Sequence, residues 1–477
     1  MSSVTEPRKE YTDLLPDVVR NRCAVAGERA VKDKGELFLP PLASMCCTTH
    51  ELENGYQQIR KGNCVSAEGR ASYNKYLSLA YFYGASGRTV DGLGGLIFSK
   101  DPVTDLDNNI EYLQVNADGK GNSLRKLAQD AVNEAFITPR SGLLVDFPNV
   151  QQAVSIADAE ANNLRPKILH YPYESIINWH YDVVNNEQKL VLLVLMEAST
   201  TVKERFEVTT ETQYRVLELI DGVYHQSVYK DNGDEIQQPT PILVNGQPSN
   251  EIPFYLVRVG AEQKSVINDL VDANYNHYRF FADYAAKEHA SAFPVFYETG
   301  VQGNDDNLMI GPGAKWSSAS TDAQFGVLQT ESDGGSMRQY LLDMEQRMAA
   351  LGAEMLKPRI AGAESAEAKS LDQVAQNSTV SNIATNVSEA MTKALNFCSR
   401  WLGGTEQSVY KLNTDYNPQA LNPQALTALL AAWQGGAISY DTFYDNLQRG
   451  EIADGNVTAE EEQSKIAREG SGLIGDQ

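Results

Sequence analysis

The sequence predicts an α+β protein, and three observations carry that prediction. Apolar residues recur at helical spacing through much of the first 140 positions. They then switch to alternation with hairpin dipeptides between 168 and 259, and return to two helical stripes flanking a Gly/Pro-rich excursion within 264–358.

In chain order, Leu14, Leu15, Val18, Val19, Cys23 and Ala26 mark a first helix, which Gly35 and Pro40-Pro41 are expected to close. Tyr73, Tyr76, Leu77 and Ala80 mark a second, broken between Gly84 and Gly87. Val90, Leu93 and Ile97 continue it, with Gly92, Gly94 and Gly95 permitting close backbone approach. Ser123 is the expected N-cap of a third helix that turns Leu124, Leu127, Ala128, Ala131 and Ala135 inward and stops at Thr138-Pro139. A short buried strand at 142–147 follows. Runs 175–184 and 189–197 read as strands joined across Asn185-Asn186, and runs 213–220 and 223–229 flank Asp221-Gly222, a dipeptide that favours the positive-φ hairpin turn. These make an antiparallel sheet, with 231–250 expected as a polar loop beyond it and 253–259 as one more strand.

In the first stripe, Ile267, Leu270, Asn274, Tyr278, Phe281 and Ala285 alternate at spacings of three and four. In the second, Met337, Leu341, Met344, Met348, Leu351 and Met355 do the same. Each set lies along one narrow helix face, the pattern of a seam against another helix. Between them Pro294, Gly300, Gly303, the Asn304-Asp305-Asp306 cluster and Gly311-Pro312-Gly313 punctuate short strand-like runs. Two helices thus leave a body, something small sits at their tip, and the chain returns. After Pro358 a small-residue stretch leads into a long helix with Val380, Ile383, Val387, Met391, Ala394 and Cys398 on one face, ended by Gly403-Gly404. Two short helices follow, one with Leu426, Leu429, Leu430 and Trp433, the other capped by Ser439 and turning Phe443 and Leu447 inward. From Asp454 the chain is polar and acidic, with a frayed tail expected at 470–477.

The net charge of −23 and pI near 4.7 argue against a sequence-reading nucleic-acid binder, which needs a basic face. The five cysteines are odd in number and fit no zinc spacing, so reduced thiols are expected. No secretory leader opens the chain, and the longest apolar run, 190–196, is too short to span a bilayer, so a protein made in a cytoplasm without membrane insertion is expected. No catalytic, metal or cofactor motif survives inspection. Gly92-Leu93-Gly94-Gly95 follows a helix rather than a strand, Gly119 to Ser123 lacks the phosphate-loop frame, and His50-Glu51 has no second histidine in register. The six histidines do not cluster, and Asp305-Asp306 has no spaced partners for a divalent ion.

Several phrases nevertheless stand in a telling order: GRTVDGLGGLIF at 87–98, RSGLLVDFP at 140–148, LVDANYNHYRFFADY at 270–284, ESAEAK at 364–369 and WQGGAISYDTFYDNLQRGEI at 433–452. With the sheet, helix, small insert, helix and long-helix sequence of elements, the chain resembles the portal proteins of tailed double-stranded-DNA bacteriophages. The resemblance covers roughly 11–463; the 41–66 segment and the 231–252 loop match nothing in it.

The resemblance implies a portal fold assembled as a dodecameric ring at one capsid vertex. Residues 1–262 would be the wing (helical 1–165, antiparallel sheet 166–262), 263–290 and 333–357 the stem helices, and 291–332 the clip. Residues 358–403 would be the tunnel loop and its long helix, and 404–477 the crown. It implies a subunit interface through Ile267, Leu270, Tyr278, Phe281, Met337, Leu341, Met344, Met348 and Leu351, and docking of the large terminase subunit and then a tail adaptor at Asn304, Asp305, Asp306 and Asn307. The major capsid protein would surround the ring. Double-stranded DNA would pass without sequence specificity, brushing Lys357, Arg359 and Lys369 near the tunnel loop. No cofactor and no enzymatic activity are implied. The alternative expectation is another virion component, capsid-associated or a tail adaptor.

Overall fold

The structure, a computed structural model, describes residues 3–45, 65, 69–147, 164–184, 186–204, 207–258, 264–292, 295–299, 321–322, 324–328, 334–352, 366–414, 423–449, 452–453 and 457–472. They form two compact units, Met1–Leu412 and Asn413–Gln477.

The first unit begins with α1 (Lys9–Ala26), which ends at Gly27 in a positive-φ conformation (φ 91°) rather than running on to Gly35. A short α2 (Glu28–Asp33) then turns the chain back, and α3 (Gly69–Leu79) and α4 (Ala85–Ile97) follow. Strand β1 (Val103–Asp105) precedes α5 (Leu124–Ile137), whose first turn is capped as expected: Lys126 N donates to Ser123 Oγ at 3.2 Å. The expected inward residues Leu124, Leu127, Ala128, Ala131 and Ala135 are all buried. A buried carboxylate fastens α1 to α5. Glu134 accepts from both terminal nitrogens of Arg22 at 2.7 and 3.0 Å, and from Thr138 Oγ1 and the Tyr173 amide at 3.0 Å. Its lone pairs are thereby satisfied where desolvation would otherwise be costly, and Glu174 and Glu134 together hold the Arg22 guanidinium firmly charged.

Strands β2 (Arg140–Asp146) and β3 (Lys167–Tyr171) join a later strand in a three-stranded antiparallel sheet. Next comes a five-stranded meander: β4 (Ile176–Val184), β5 (Glu187–Glu204), β6 (Glu207–Ile220), β7 (Val223–Lys230) and β8 (Glu235–Pro241). Asp221 and Gly222 both take positive φ (50° and 79°), the turn the dipeptide predicts. The expectation of a polar loop over 231–250 is corrected. Gly233 (φ 86°) turns the chain into β8, and Asn245-Gly246 (φ 51° and 75°) turns β9 (Leu243–Val244) into β10 (Gln247–Pro248). The prolines there are tolerated because β8 is the edge of its sheet. β11 (Phe254–Arg258) pairs not with the meander but with β2, where the Phe254 ring lies over Gly142 so closely that any Cβ there would collide. One core joins the two sheets through Leu144, Tyr173, Leu193, Leu195, Leu217, Tyr224 and Phe254.

Helix α6 (Asn268–Ser291) leads to an antiparallel ribbon of β12 (Val295–Thr299) and β13 (Gln324–Leu328), and α7 (Gly335–Ala350) leads back. The long α8 (Ala366–Trp401) buries Val380, Ile383, Val387, Met391, Ala394 and Cys398, the face its spacing predicts. Burial holds the Cys398 thiol well above its ordinary range, so it stays protonated and inert. Residues 404–412, expected with the final part, join the first unit instead. β14 (Val409–Lys411) pairs with β1, and Thr405 Oγ1 donates to Asp107 at 2.8 Å.

The second unit contains α9 (Pro423–Gln434), α10 (Tyr440–Arg449) and α11 (Ala459–Gly472). Trp433 stacks on Phe443 at 4.8 Å, and Ser439 caps α10 as expected, accepting from the Thr442 amide at 3.2 Å. The polar, acidic stretch from Asp454 includes α11. Thr458 and Glu461 form a reciprocal capping box there, with amide-to-side-chain bonds of 3.0 and 3.2 Å.

Candidate functional site

The site is the two-helix excursion itself. α6 and α7 run antiparallel, as their contacts show: Leu270 packs with Met348 and Ala85, His277 lies beside Glu345, Phe280 meets Tyr340 at 4.3 Å, and Lys287 reaches Met337. At the far end Gly334 (φ 57°) starts α7 tightly against α6, where a Cβ would strike the side chains of Glu288 and Tyr284. Beyond it the Tyr297 ring covers Gly326 across the β12–β13 pair, the usual compensation for a glycine in a strand.

The first half of α6 is rooted in the helical part of the body. Tyr275 packs on Phe38 and Phe82 (4.7 and 5.6 Å), and Tyr278 meets Phe82 edge-on at 5.7 Å. Asn274, fully buried, accepts from Ser86 Oγ at 2.9 Å and donates to the Tyr83 carbonyl at 2.6 Å. Asn21 donates to Asn268 at 2.6 Å, Tyr76 Oη donates to Asp283 at 2.5 Å, and Arg279 donates to the Phe38 carbonyl at 3.1 Å. Burial and the neighbouring Asp283 push the Tyr76 phenol far up, so it remains a donor.

These contacts redistribute the expected interface stripe. Ile267, Leu270, Tyr278, Leu341, Met344 and Met348 are buried by the chain's own packing. Spacing alone marks a packed face without saying what packs on it. Phe281 and Met337 are half-buried, Phe281 packing against Tyr81 at 5.6 Å, and Leu351 is exposed. Among the described residues, the large apolar side chains left open on the helix pair include three that the stripe did not: Phe280 and Tyr340, at 39% and 40% exposure on the side that Leu351 (48%) shares, and Leu342, at 42% on the opposite side of α7. Phe280 and Tyr340 were legible only as aromatics one position off the stripe.

Of the remaining expected residues, Asn304, Asp305, Asp306, Asn307, Lys357 and Arg359 lie outside the described residues. Lys369 stands in the first turn of α8, where only the backbone is described. A cavity of about 290 Å³ lies between β11 and α8; Glu389 and Lys393 are its charged lining residues. Among the described residues no three His, Cys, Asp or Glu side chains converge as a metal site, and no helix is long and apolar enough to cross a membrane.

Residues 267–402, from the start of α6 to the end of α8, match the model of a family described as a domain of unknown function, DUF4055. No curated protein matches the chain. Among solved structures, it is similar to a chain in the neck of an empty GTA particle computed with C6 symmetry. The identity is 10% and the TM-score 0.37, over 78% of this chain and 90% of that one. It is also similar to a chain in the neck of a native GTA particle computed with C12 symmetry, at 10% identity and a TM-score of 0.36, over 76% and 89%. Likenesses at that level bear no weight for function.

Proposed function

We propose that this chain is the subunit of a ring-shaped portal at one capsid vertex, through which genomic double-stranded DNA is packaged and ejected. The observation that carries the reading is the excursion: two antiparallel helices rooted in the body, tipped by a two-stranded ribbon, followed by a long helix. It coincides with the ordered phrases of the sequence that resemble portal proteins. The role is structural, with no cofactor, and the subunit count expected from the resemblance is twelve.

The physical requirements of a conduit favour the same reading. A ring needs two different faces on each subunit that meet their counterparts on the neighbours and close. Phe280, Tyr340 and Leu351 supply apolar surface for one such face on the paired helices. A channel for DNA should carry few cations on balance, since each persistent phosphate contact adds salt-dependent affinity and slows sliding; the net charge of −23 is in keeping. In this reading 304–307 belong to the tip that docks the terminase and then the tail adaptor, and the major capsid protein contacts the sheet-bearing part. The test is the mass and outline of the purified protein. Electron microscopy and sedimentation are expected to give a large ring with a central hole, and a monomer without one overturns the proposal.

A further inference from the structure

One buried ionisable group is left over by everything above. His277 is 1% exposed, in the joint where α6 leaves the body and α7 returns. Neither ring nitrogen has a hydrogen-bond partner. The imidazole lies 5.5 Å from the Tyr83 ring and 6.2 Å from the Phe281 ring, centroid to centroid. Its Nε2 is 3.4 Å from a carboxylate oxygen of Glu345 on α7, a weak and poorly aligned contact within ion-pair range. A polar ring stripped of water with both nitrogens idle is an expensive packing piece, and an aliphatic or aromatic side chain would fill the space at lower cost.

The groups facing the ring are few. α7 contributes Glu345; the segment before α4 contributes the phenol of Tyr83, with Tyr81 and Arg88 of α4 near Tyr83. Protonation would give the ring two N–H donors. One can turn to Glu345, and the other is left against aromatic carbon. In the closed joint the charged form is therefore at best half satisfied, whereas an opened joint lets water complete it.

We infer that His277 is a proton-sensitive wedge between α6 and α7, completing the joint when neutral and loosening its hold on α7 when protonated. Desolvation is the chief influence on the ring and lowers its pKa below the ordinary 6.5, with Glu345 opposing. The sign follows. The closed joint binds this proton less readily than the open one, so the contribution of His277 to closure is complete above pH 6.5. It is lost as pH falls below that value toward the depressed pKa. The joint lies within one chain, so the inference does not depend on ring assembly.

Hydrogen–deuterium exchange of the full chain at pH 7.5 and 5.5, corrected for intrinsic rates, reads the wedge directly. Amides of 270–285 and 341–350 are expected to exchange several-fold faster at pH 5.5 in the wild type and to show no such rise in H277F. In E345Q the rise should be larger, since the counter-charge is gone. H277Q, polar but not titratable, gives the same comparison should H277F not fold. Equal acid responses in the wild type and in whichever of these two variants folds, or a response in E345Q no larger than in the wild type, overturn the inference.

Discussion

The two halves of α6 differ in both sequence and fate. From Asn268 to Ala282 the helix buries Leu270, Val271, Asn274, Tyr275, His277 and Tyr278; from Asp283 onward no residue of it is fully buried. The apolar stripe thins there to Ala285, and the surroundings change with it: the root half meets Phe38, Phe82, Tyr83 and Ser86, whereas the outer half meets Tyr76 and the start of α7. Periodicity therefore reports that a face is to be covered, and only the tertiary neighbours decide whether the chain covers it itself.

The sharpest way to break this comparison is to truncate one aromatic buried at the root and one left open on the helix pair. Tyr278→Ala empties a fully buried site and is expected to cost about 3–5 kcal/mol, in line with large-to-small changes in packed cores. Tyr340→Ala, at a side chain 40% exposed, should cost about 1 kcal/mol or less. Urea unfolding of both variants checks it, and equal losses would erase the distinction between root and open face. A finer cut uses the Tyr278 hydroxyl, which is buried without a hydrogen-bond partner. Tyr278→Phe is expected to be neutral or slightly stabilising, because it removes only an unsatisfied polar group.

Asn274 sharpens the same point in polar terms. It is on the expected stripe, yet it works as a hydrogen-bond hub to Ser86 and Tyr83 rather than as an apolar knob. Asn274→Ala should cost about 1–3 kcal/mol, because the partner groups stay buried and lose their acceptor and donor. Asn274→Leu should cost at least as much despite its better match to the stripe. A leucine variant more stable than the alanine one in the same unfolding assay would show that packing, not hydrogen bonding, sets the position.

Legibility followed the same division between local and tertiary determinants. Features fixed within a few residues were readable: the Ser123 and Ser439 caps, the Asp221-Gly222 turn and the inward face of α8 all lie where the sequence puts them. Two local signals were present and outweighed by neighbours. Asn232-Gly233 and Asn245-Gly246 are hairpin dipeptides as strong as Asp221-Gly222, but Pro239, Pro241 and Pro248 made the stretch read as loop. Thr458-x-x-Glu461 is a capping box that the acidic composition around it obscured. Two other features had no local signal at all. β11 reaches back to β2 over more than a hundred residues, and β14 closes on β1 over about three hundred, pairings set by the core rather than by any dipeptide.

On the open side of the helix pair the expected effect moves from folding to assembly. Tyr340→Asp combined with Leu351→Asp places two charges on that face, where each stays solvated in the monomer. Stability should change by less than about 1 kcal/mol, while a contact between subunits at this face would have to desolvate both carboxylates. Circular dichroism should show unchanged helicity, and sedimentation should show loss of the large species. Rings that persist in the double variant would move the proposed subunit contact elsewhere on the chain.

The smallest effect on the fold is expected where the proposed conduit meets DNA. Lys357, Arg359 and Lys369 are on neither apolar stripe, so replacing all three with Gln removes charge without removing packing. Assembly should be unaffected. If these side chains touch passing phosphates, the triple variant should alter the length of DNA packaged or retained in assembled particles. The difference should shrink as salt rises, because phosphate contacts act through counterion release and are screened over about 8–10 Å at physiological ionic strength. Single replacements should do little, each contact being solvated and worth well under about 1 kcal/mol. The measurement is packaged genome length at low and raised ionic strength. Normal packaging at every salt concentration removes the three residues from the channel, and loss of rings makes them structural, extending the rooted part of the molecule into the stretch between α7 and α8.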